Sequence, residues 1–364
     1  MIPLIVDLEM EWRGGQNQAL LLLKGLYERG HAAELLAAKG SALGARALAA
    51  GICVHSVSRG SARMPAAMKI RELLRDERIE IVHANESHAL TAAWLAGAHK
   101  KAPLLFSRRV GYPLGKSFLS RARFRAVSRI VANSNWVAEQ AEASGAGPEK
   151  LAVIYEGVEN PIQITGEERK KARALWEVGE EEQLIGCVGV LSWDKGHEFV
   201  IRALASVRKE FPRCKLLLAG DGPSLGQLRA LAGELDLGDA VIFAGFVKDI
   251  ASAYRAVDVF VFPSLFEGLG TSLLAAMANG VPSITFFGCA LGEIVENGKT
   301  GIQVEAKNSG QIAEAILQLL VNPQFAARMG EAGRRSIAAK FSADRMVDET
   351  LRLYRKVLDE PNIG

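Results

Sequence analysis

Residues Val259–Pro282 read VFVFPSLFEGLGTSLLAAMANGVP, and their reading decides the fold. The apolar run Val259–Phe262 ends at Pro263-Ser264, as a short buried strand would. Glu267 follows in a loop between Phe266 and Gly268. Leu269–Ala278 is rich in helix formers and is stopped by Asn279-Gly280. The pattern predicts strand, glycine-containing turn and helix. In a parallel α/β sheet that junction lies at the carboxyl ends of the strands, where ligands bind. The first helical turn offers backbone N–H groups and a positive dipole end, which suit a phosphate.

The same alternation extends in both directions. Upstream of Val259, strands are expected at Leu184–Val190, Lys215–Ala219 and Val241–Ala244; downstream, at Ser283–Phe287 and Gly301–Val304. The amino-terminal half repeats it with Pro3–Leu8, Ala33–Ala37, Cys53–Val57, Ile79–Ala84, Leu104–Ser107, Arg129–Asn133 and Leu151–Tyr155. Between the halves, Gly157–Pro161 and the charged segment Gly166–Glu182, expected to be helical, read as a linker and a domain start. The expectation is two doubly wound parallel-sheet domains, 1–162 and 163–341, facing a cleft that holds the ligand. A length of 364 residues with 49% apolar residues suits two cores.

Composition excludes several classes. The net charge of +3 is too small to argue for nucleic acid, and no nucleic-acid module is recognisable. Cys53, Cys187, Cys214 and Cys289 form no CxxC pair and read as reduced structural thiols, with no metal site and a cytoplasmic location. The chain shows neither a signal peptide nor a run of the ~20 apolar residues that spans a bilayer, so membrane association would be peripheral.

One segment is one-sided in charge. Lys100–Arg129 carries nine cations and no acid, interleaved with Phe106, Tyr112, Phe118, Leu119 and Phe124. Charge runs are usually solvated faces, but this one suits an anionic membrane surface or a phosphorylated acceptor. Gly14-Gly15 at the first strand-to-helix junction lacks the GxGxxG spacing; it is either a tight turn or a backbone cradle for phosphate or acceptor. His83 reads as a structural histidine in an apolar strand, whereas Glu86 and His88 at that strand's carboxyl end are acceptor-side candidates. In the second half, Lys195 stands just before a helix start and suits a phosphate. Gly220-Asp221-Gly222-Pro223 reads as a structural turn, and Gly245-Phe246-Val247 as a backbone edge and apolar wall for a nucleobase.

In order along the chain, Gly14-Gly15, Val188-Gly189, Lys195-Gly196, Ala219–Pro223, Phe243–Gly245, Pro263-Ser264, Glu267–Gly270 and Glu293 resemble the retaining glycosyltransferases of family 4. Glu11–Gly15, Val82–Asn85 and Ser107–Val110 are similar to the branch that decorates bacterial lipopolysaccharide and other envelope glycans. The resemblance implies the GT-B fold of two Rossmann-like domains, with 342–364 crossing back to the first. It implies a nucleotide-diphosphate sugar as co-substrate and no cofactor or metal. The acceptor is expected to be a lipid-linked or envelope glycan, bound by the amino-terminal domain at the inner membrane. Lys195 would contact the diphosphate and Glu267 the transferred sugar. Gly189, Val190 and the backbone of Gly268, Leu269, Gly270 and Thr271 would line the phosphates. Gly245, Phe246 and Val247 would hold the base, while Gly14, Gly15, Glu86, His88, Arg108 and Arg109 would face the acceptor.

Two positions depart from the family pattern. A second glutamate, eight residues after the first and holding the ribose, is replaced by Ala275, and an arginine on the diphosphate is replaced by Val190. Arg108 or Arg109 could supply the missing cation. These departures keep two other readings in view: a non-catalytic relative that binds sugar nucleotide or glycan, and a sugar-nucleotide 2-epimerase.

Overall fold

The computed structural model describes residues 1–58, 63–115, 117–159 and 165–360. The expected boundary at 162–163, Lys116 of the basic segment and the carboxyl-terminal residues 361–364 lie outside them. The chain divides into two units. One takes Met1–Gly157 and the chain from Ser342 on; the other is Val158–Phe341.

The first unit holds β1 (Pro3–Asp7), β2 (Glu34–Ala38), β3 (Cys53–Val57), β4 (Ile81–Ala84), β5 (Leu104–Arg108), β6 (Arg129–Ala132) and β7 (Leu151–Val153). They form one sheet in the order β3-β2-β1-β4-β5-β6-β7, with every neighbouring pair parallel. Strand alternation divides the core between the two faces. Leu4, Val6, Val82 and Phe106 pack on one, and Ile5, Leu35, Ile81 and Leu105 on the other. Burial on both faces is why these strands read as continuous apolar runs.

The second unit repeats the plan with β8 (Leu184–Val188), β9 (Lys215–Ala219), β10 (Val241–Gly245), β11 (Val259–Phe262), β12 (Ser283–Phe286) and β13 (Ile302–Val304). Their order is β10-β9-β8-β11-β12-β13, again parallel throughout. Each sheet therefore has one place where strand order reverses: between β1 and β4, and between β8 and β11. Loops leaving those strands splay to opposite faces, which opens a crevice for ligand.

The last helix, Ala343–Asp359, belongs to the first unit and packs on the helix Gly14–Glu28. A Cβ on Gly25 would lie 2.5 Å from Val347, so only glycine allows this approach. Tyr354 is fully buried, and Arg29 pairs with Asp344 at 3.0 Å and Asp348 at 2.7 Å.

Two helices are shorter than the sequence pattern suggests. Gly166–Glu182 is helical only over Gly166–Ala174. Past it Glu177 takes a φ of 53°, and Arg173 draws the chain back by donating to the carbonyls of Gly179 and Glu182. The expected helix Leu269–Ala278 starts instead at Thr271, because Gly270 at φ 99° breaks the helical path before it. Glu267 lies in the loop before Gly270, and Ala275 lies on the helix.

Candidate functional site

In the second unit the loops after β8 and β11 meet at the point of strand reversal. After β8 the chain makes a 3-10 turn, Trp193–Lys195, and enters the helix His197–Val207 through Gly196. Gly196 has φ 65°, and a Cβ there would fall 2.2 Å from the Pro263 carbonyl. Only glycine lets the two loops come so close. Leu265 N–H donates to the Asp194 carbonyl at 2.8 Å and joins them.

This seam brings together two residues 72 positions apart. Lys195 Nζ donates to Glu267 Oε2 at 2.7 Å and lies 3.5 Å from Ser264 Oγ and 3.7 Å from Asp194. The lysine side chain is 23% exposed and the glutamate 20%, so both are accessible from solvent yet partly desolvated. Beneath them, burial and then the lysine charge push His197 down to about 4, so its imidazole is neutral. The helix Thr271–Ala278 begins beside Glu267 with no side-chain cap. Its sequence of Leu, Ala and Met favours helix, and Gly280 at φ 73° ends it. The arrangement is a mobile cation, a carboxylate and an uncapped helix start around one spot, which suits an anionic group bearing hydroxyls.

The remaining sequence candidates surround this spot unequally. Gly189 N–H is bonded to the Ala219 carbonyl at 3.0 Å, and Val190 is exposed. The Gly245 carbonyl accepts from Gly220 N–H at 2.8 Å; Phe246 is 64% exposed, and Val247 is half-buried. Leu269 is buried, so it can offer only backbone. Gly268 and Gly270 are also buried, and Thr271 is half-buried. Ala275 is half-buried one turn into the helix.

In the first unit the carboxyl ends of β1, β4, β5 and β6 carry a buried polar network. Asp7 accepts from Gln16 Nε2 at 2.9 Å and Asn85 Nδ2 at 2.6 Å. Asn85 also donates to the Gly15 carbonyl at 3.2 Å, and its own carbonyl accepts from Arg109 at 2.7 Å. Arg109 pairs with Glu156 at 2.5 Å, and Asn133 donates to the same carboxylate. His83 joins Tyr354 Oη at 2.6 Å to Ser107 Oγ at 2.8 Å, and burial pushes it down to about 3. His83, Asn85, Ser107, Arg109, Asn133 and Glu156 line part of a cavity of about 30 Å³, room for a water.

Gly14 and Gly15 form the start of the helix Gly14–Glu28, and neither has positive φ. A Cβ at Gly15 would meet Arg109 at an ordinary 3.6 Å. The pair is therefore not a strained turn. Glu86 caps the helix Ser87–Leu95, accepting from the N–H groups of His88, Ala89 and Leu8. Burial pushes Glu86 up to about 7, against the pull of the first two. His88 is exposed, and its Nδ1 accepts from Arg63 Nε at 3.0 Å. Ligand atoms of Glu9, Glu86 and His88 lie within 4.8 Å of one another. Arg108 is buried against the Tyr112 carbonyl, and Arg109 is balanced by Glu156. Arg109 is thus neutralised by a carboxylate, whereas Arg108 meets only a neutral carbonyl and its buried Nε has no hydrogen-bond partner.

The basic segment also divides. Arg129 pairs with Glu360, and Arg123 donates to Thr91 and Ser120. Lys100, Lys101, Arg121 and Arg125 are exposed, as are Tyr112, Phe118 and Leu119, with Phe118 at 81%. Among the described residues no helix is long and apolar enough to cross a membrane. Sequence reasoning missed Asp7 and Glu156, and named Asn85 and Ser264 only within motifs, without a role. For Asp7 there was a signal, an acid at the end of an apolar strand; the others show their roles only through pairing.

Two Rossmann-like parallel-sheet units in series define the GT-B class of fold. Residues 168–336 match the family model of glycosyl transferases group 1, and residues 12–160 match that of glycosyltransferase family 4. The two matches take in most of the chain, which belongs to this related group of glycosyltransferases. It is 31% identical over 217 residues to an uncharacterized glycosyltransferase of Methanocaldococcus jannaschii, covering 58% of this chain and 55% of that one. The match thus spans about half the length of that relative. It is 28% identical over 295 residues, 76% of each chain, to the GDP-mannose-dependent alpha-(1-6)-phosphatidylinositol monomannoside mannosyltransferase of Mycobacterium tuberculosis. In three dimensions it is similar to Anabaena HepE crystallised with UDP-glucose, with a TM-score of 0.86 and 21% identity, covering 98% of this chain and 100% of that one.

Proposed function

We propose that this protein is a retaining glycosyltransferase that moves a sugar from a nucleotide-diphosphate sugar to a lipid-linked or envelope glycan. The observation that carries the reading is the 2.7 Å pair of Lys195 and Glu267 at the reversal of the second sheet. In this reading the donor diphosphate takes Lys195 and the backbone of Gly268–Thr271, and the sugar hydroxyls take Glu267. Gly189 and Val190 flank the phosphates, and Gly245–Val247 hold the base. The bond from the sugar's anomeric carbon to the diphosphate oxygen breaks, and an acceptor oxygen bonds to the same face. The acceptor proton leaves with the departing phosphate. Lys195 stabilises charge developing on that phosphate, the kind of preorganised electrostatic term that dominates such catalysis. A relative that uses GDP-mannose on a phosphatidylinositol glycoside, and a similar fold holding UDP-glucose, support the donor and acceptor classes.

The first unit binds the acceptor in this account, with Gly14, Gly15, Glu86 and His88 on its carboxyl-end rim and Arg108 and Arg109 held beneath by their own partners. Exposed Phe118 and Leu119, on one helix with exposed Arg121 and Arg125, support peripheral attachment to an anionic membrane. The protein then works at the inner face of the cytoplasmic membrane. A second reading, sugar-nucleotide binding without transfer, is favoured by Val190 and Ala275, which remove a cation and a ribose acceptor from the expected donor site.

A thermal-shift screen with UDP-, GDP- and ADP-sugars tests the donor assignment, since a ligand of the native state raises its stability. One nucleotide class should shift wild type and fail to shift Lys195→Met. Equal shifts in both proteins would remove Lys195 from the site. Binding without turnover would favour the second reading.

A further inference from the structure

We propose that Glu34, Cys53 and His55 form a binding site for a divalent transition-metal ion of the zinc type. Glu34 opens β2 and Cys53 opens β3, so the site lies at the amino ends of the strands, the opposite end of the sheet from the acceptor-side residues. Register assembles it: Glu34 pairs with Cys53, and Leu36 with His55. Strand alternation puts Cys53 and His55 on one face, with Glu34 beside them.

The distances suit an ion. Cys53 Sγ lies 3.8 Å from His55 Nε2, which lies 2.7 Å from Glu34 Oε2. All three ligand atoms fall within 4.8 Å of one another. Around a tetrahedral zinc, with bonds of about 2.0–2.3 Å, ligand atoms stand about 3.2–3.6 Å apart. The sulfur and nitrogen are already near that spacing, and the nitrogen and oxygen need open only by about half an ångström. Arg78 donates to the other oxygen of Glu34 at 3.2 Å, which leaves Oε2 for the ion and fixes the carboxylate. Thiolate, imidazole and carboxylate are the ligand types zinc selects. Because β3 is the edge of the sheet and Cys53 is exposed, a fourth position stays open to water. An ion pair of Glu34 with His55 and Arg78 would explain those residues alone, but it gives the thiol no role. Cysteine spacing could not reveal the site, because its acid comes from the neighbouring strand. The ion would clip the edge strand to β2 and take no part in sugar transfer.

The test is a titration of reduced, chelator-treated protein with Co²⁺. We expect a thiolate-to-cobalt charge-transfer band that saturates at one ion per chain and is displaced by Zn²⁺. Cys53→Ser should abolish the band, Cys289→Ser should keep it, and His55→Ala should weaken Co²⁺ binding at least about tenfold. Circular dichroism checks that each variant is folded. No band in wild type, or a band that survives Cys53→Ser, overturns the proposal.

Discussion

Replacing Lys195 by methionine keeps the stem and removes the charge, and its consequences separate a ligand site from a structural ion pair. At 2.7 Å from Glu267 and an effective dielectric constant of about 20, the gross attraction is about 6 kcal/mol. Desolvation and the ordering of two long side chains offset most of it. Partly exposed pairs of this kind net about 0.2–1 kcal/mol. Lys195→Met should therefore lower the unfolding free energy by about 1 kcal/mol or less, read by urea denaturation. Transfer is a different matter. A preorganised group aimed at developing charge contributes about a hundred- to a thousand-fold in turnover. The expected result is a large fall in kcat beside a small loss of stability. Glu267→Gln, which keeps the shape and removes the charge, should also separate activity from stability. If either variant loses less than about tenfold in turnover, or if the activity loss only tracks unfolding, the pair is structural and the reasoning fails.

Other expectations follow from single positions. Ala275→Glu should tighten binding of a nucleotide sugar about tenfold in calorimetry by restoring a charged ribose acceptor; unchanged affinity would place the ribose elsewhere. Glu86 has a folded pKa of about 7 against 4.5 for a free carboxyl, so the folded state holds its proton more tightly. Its contribution to stability is complete below pH 4.5 and is lost as pH rises through about 7. Glu86→Gln should flatten that window, by no more than about 3 kcal/mol, in unfolding curves taken across it. Tyr354→Phe leaves His83 buried without one partner and should destabilise the protein by about 1–3 kcal/mol in chemical denaturation. Phe118→Asp with Leu119→Asp should reduce sedimentation with anionic vesicles without changing the fold; undiminished binding would move the membrane contact elsewhere.

The apolar runs were easy to read because these strands are buried on both faces. Cys53–Val57, Lys215–Ala219 and Val259–Phe262 have the expected bounds. Local backbone strain was harder to foresee. The shortened helix after Gly166 and the late start at Thr271 both depend on residues with positive φ, Glu177 and Gly270. Long-range pairing was hidden altogether. The sequence presents Arg109 as a cation available for a ligand, but Glu156 pairs with it, and the role of Asn85 comes from Asp7, Gly15 and Arg109 converging on it. Lys195 and Glu267 were each visible as a charged residue at a strand end. Their contact required the order of β8 and β11 in the sheet, which local patterns do not contain.

The measurement that bears most directly on the account is release of nucleoside diphosphate from a panel of UDP-, GDP- and ADP-sugars, with a lipid-linked glycan fraction as acceptor and product configuration read by NMR. Turnover is expected with one nucleotide class, with a product that keeps the donor's anomeric configuration, and Lys195→Met should lose that turnover. No turnover from any donor by folded protein, or an inverted product, would contradict the account.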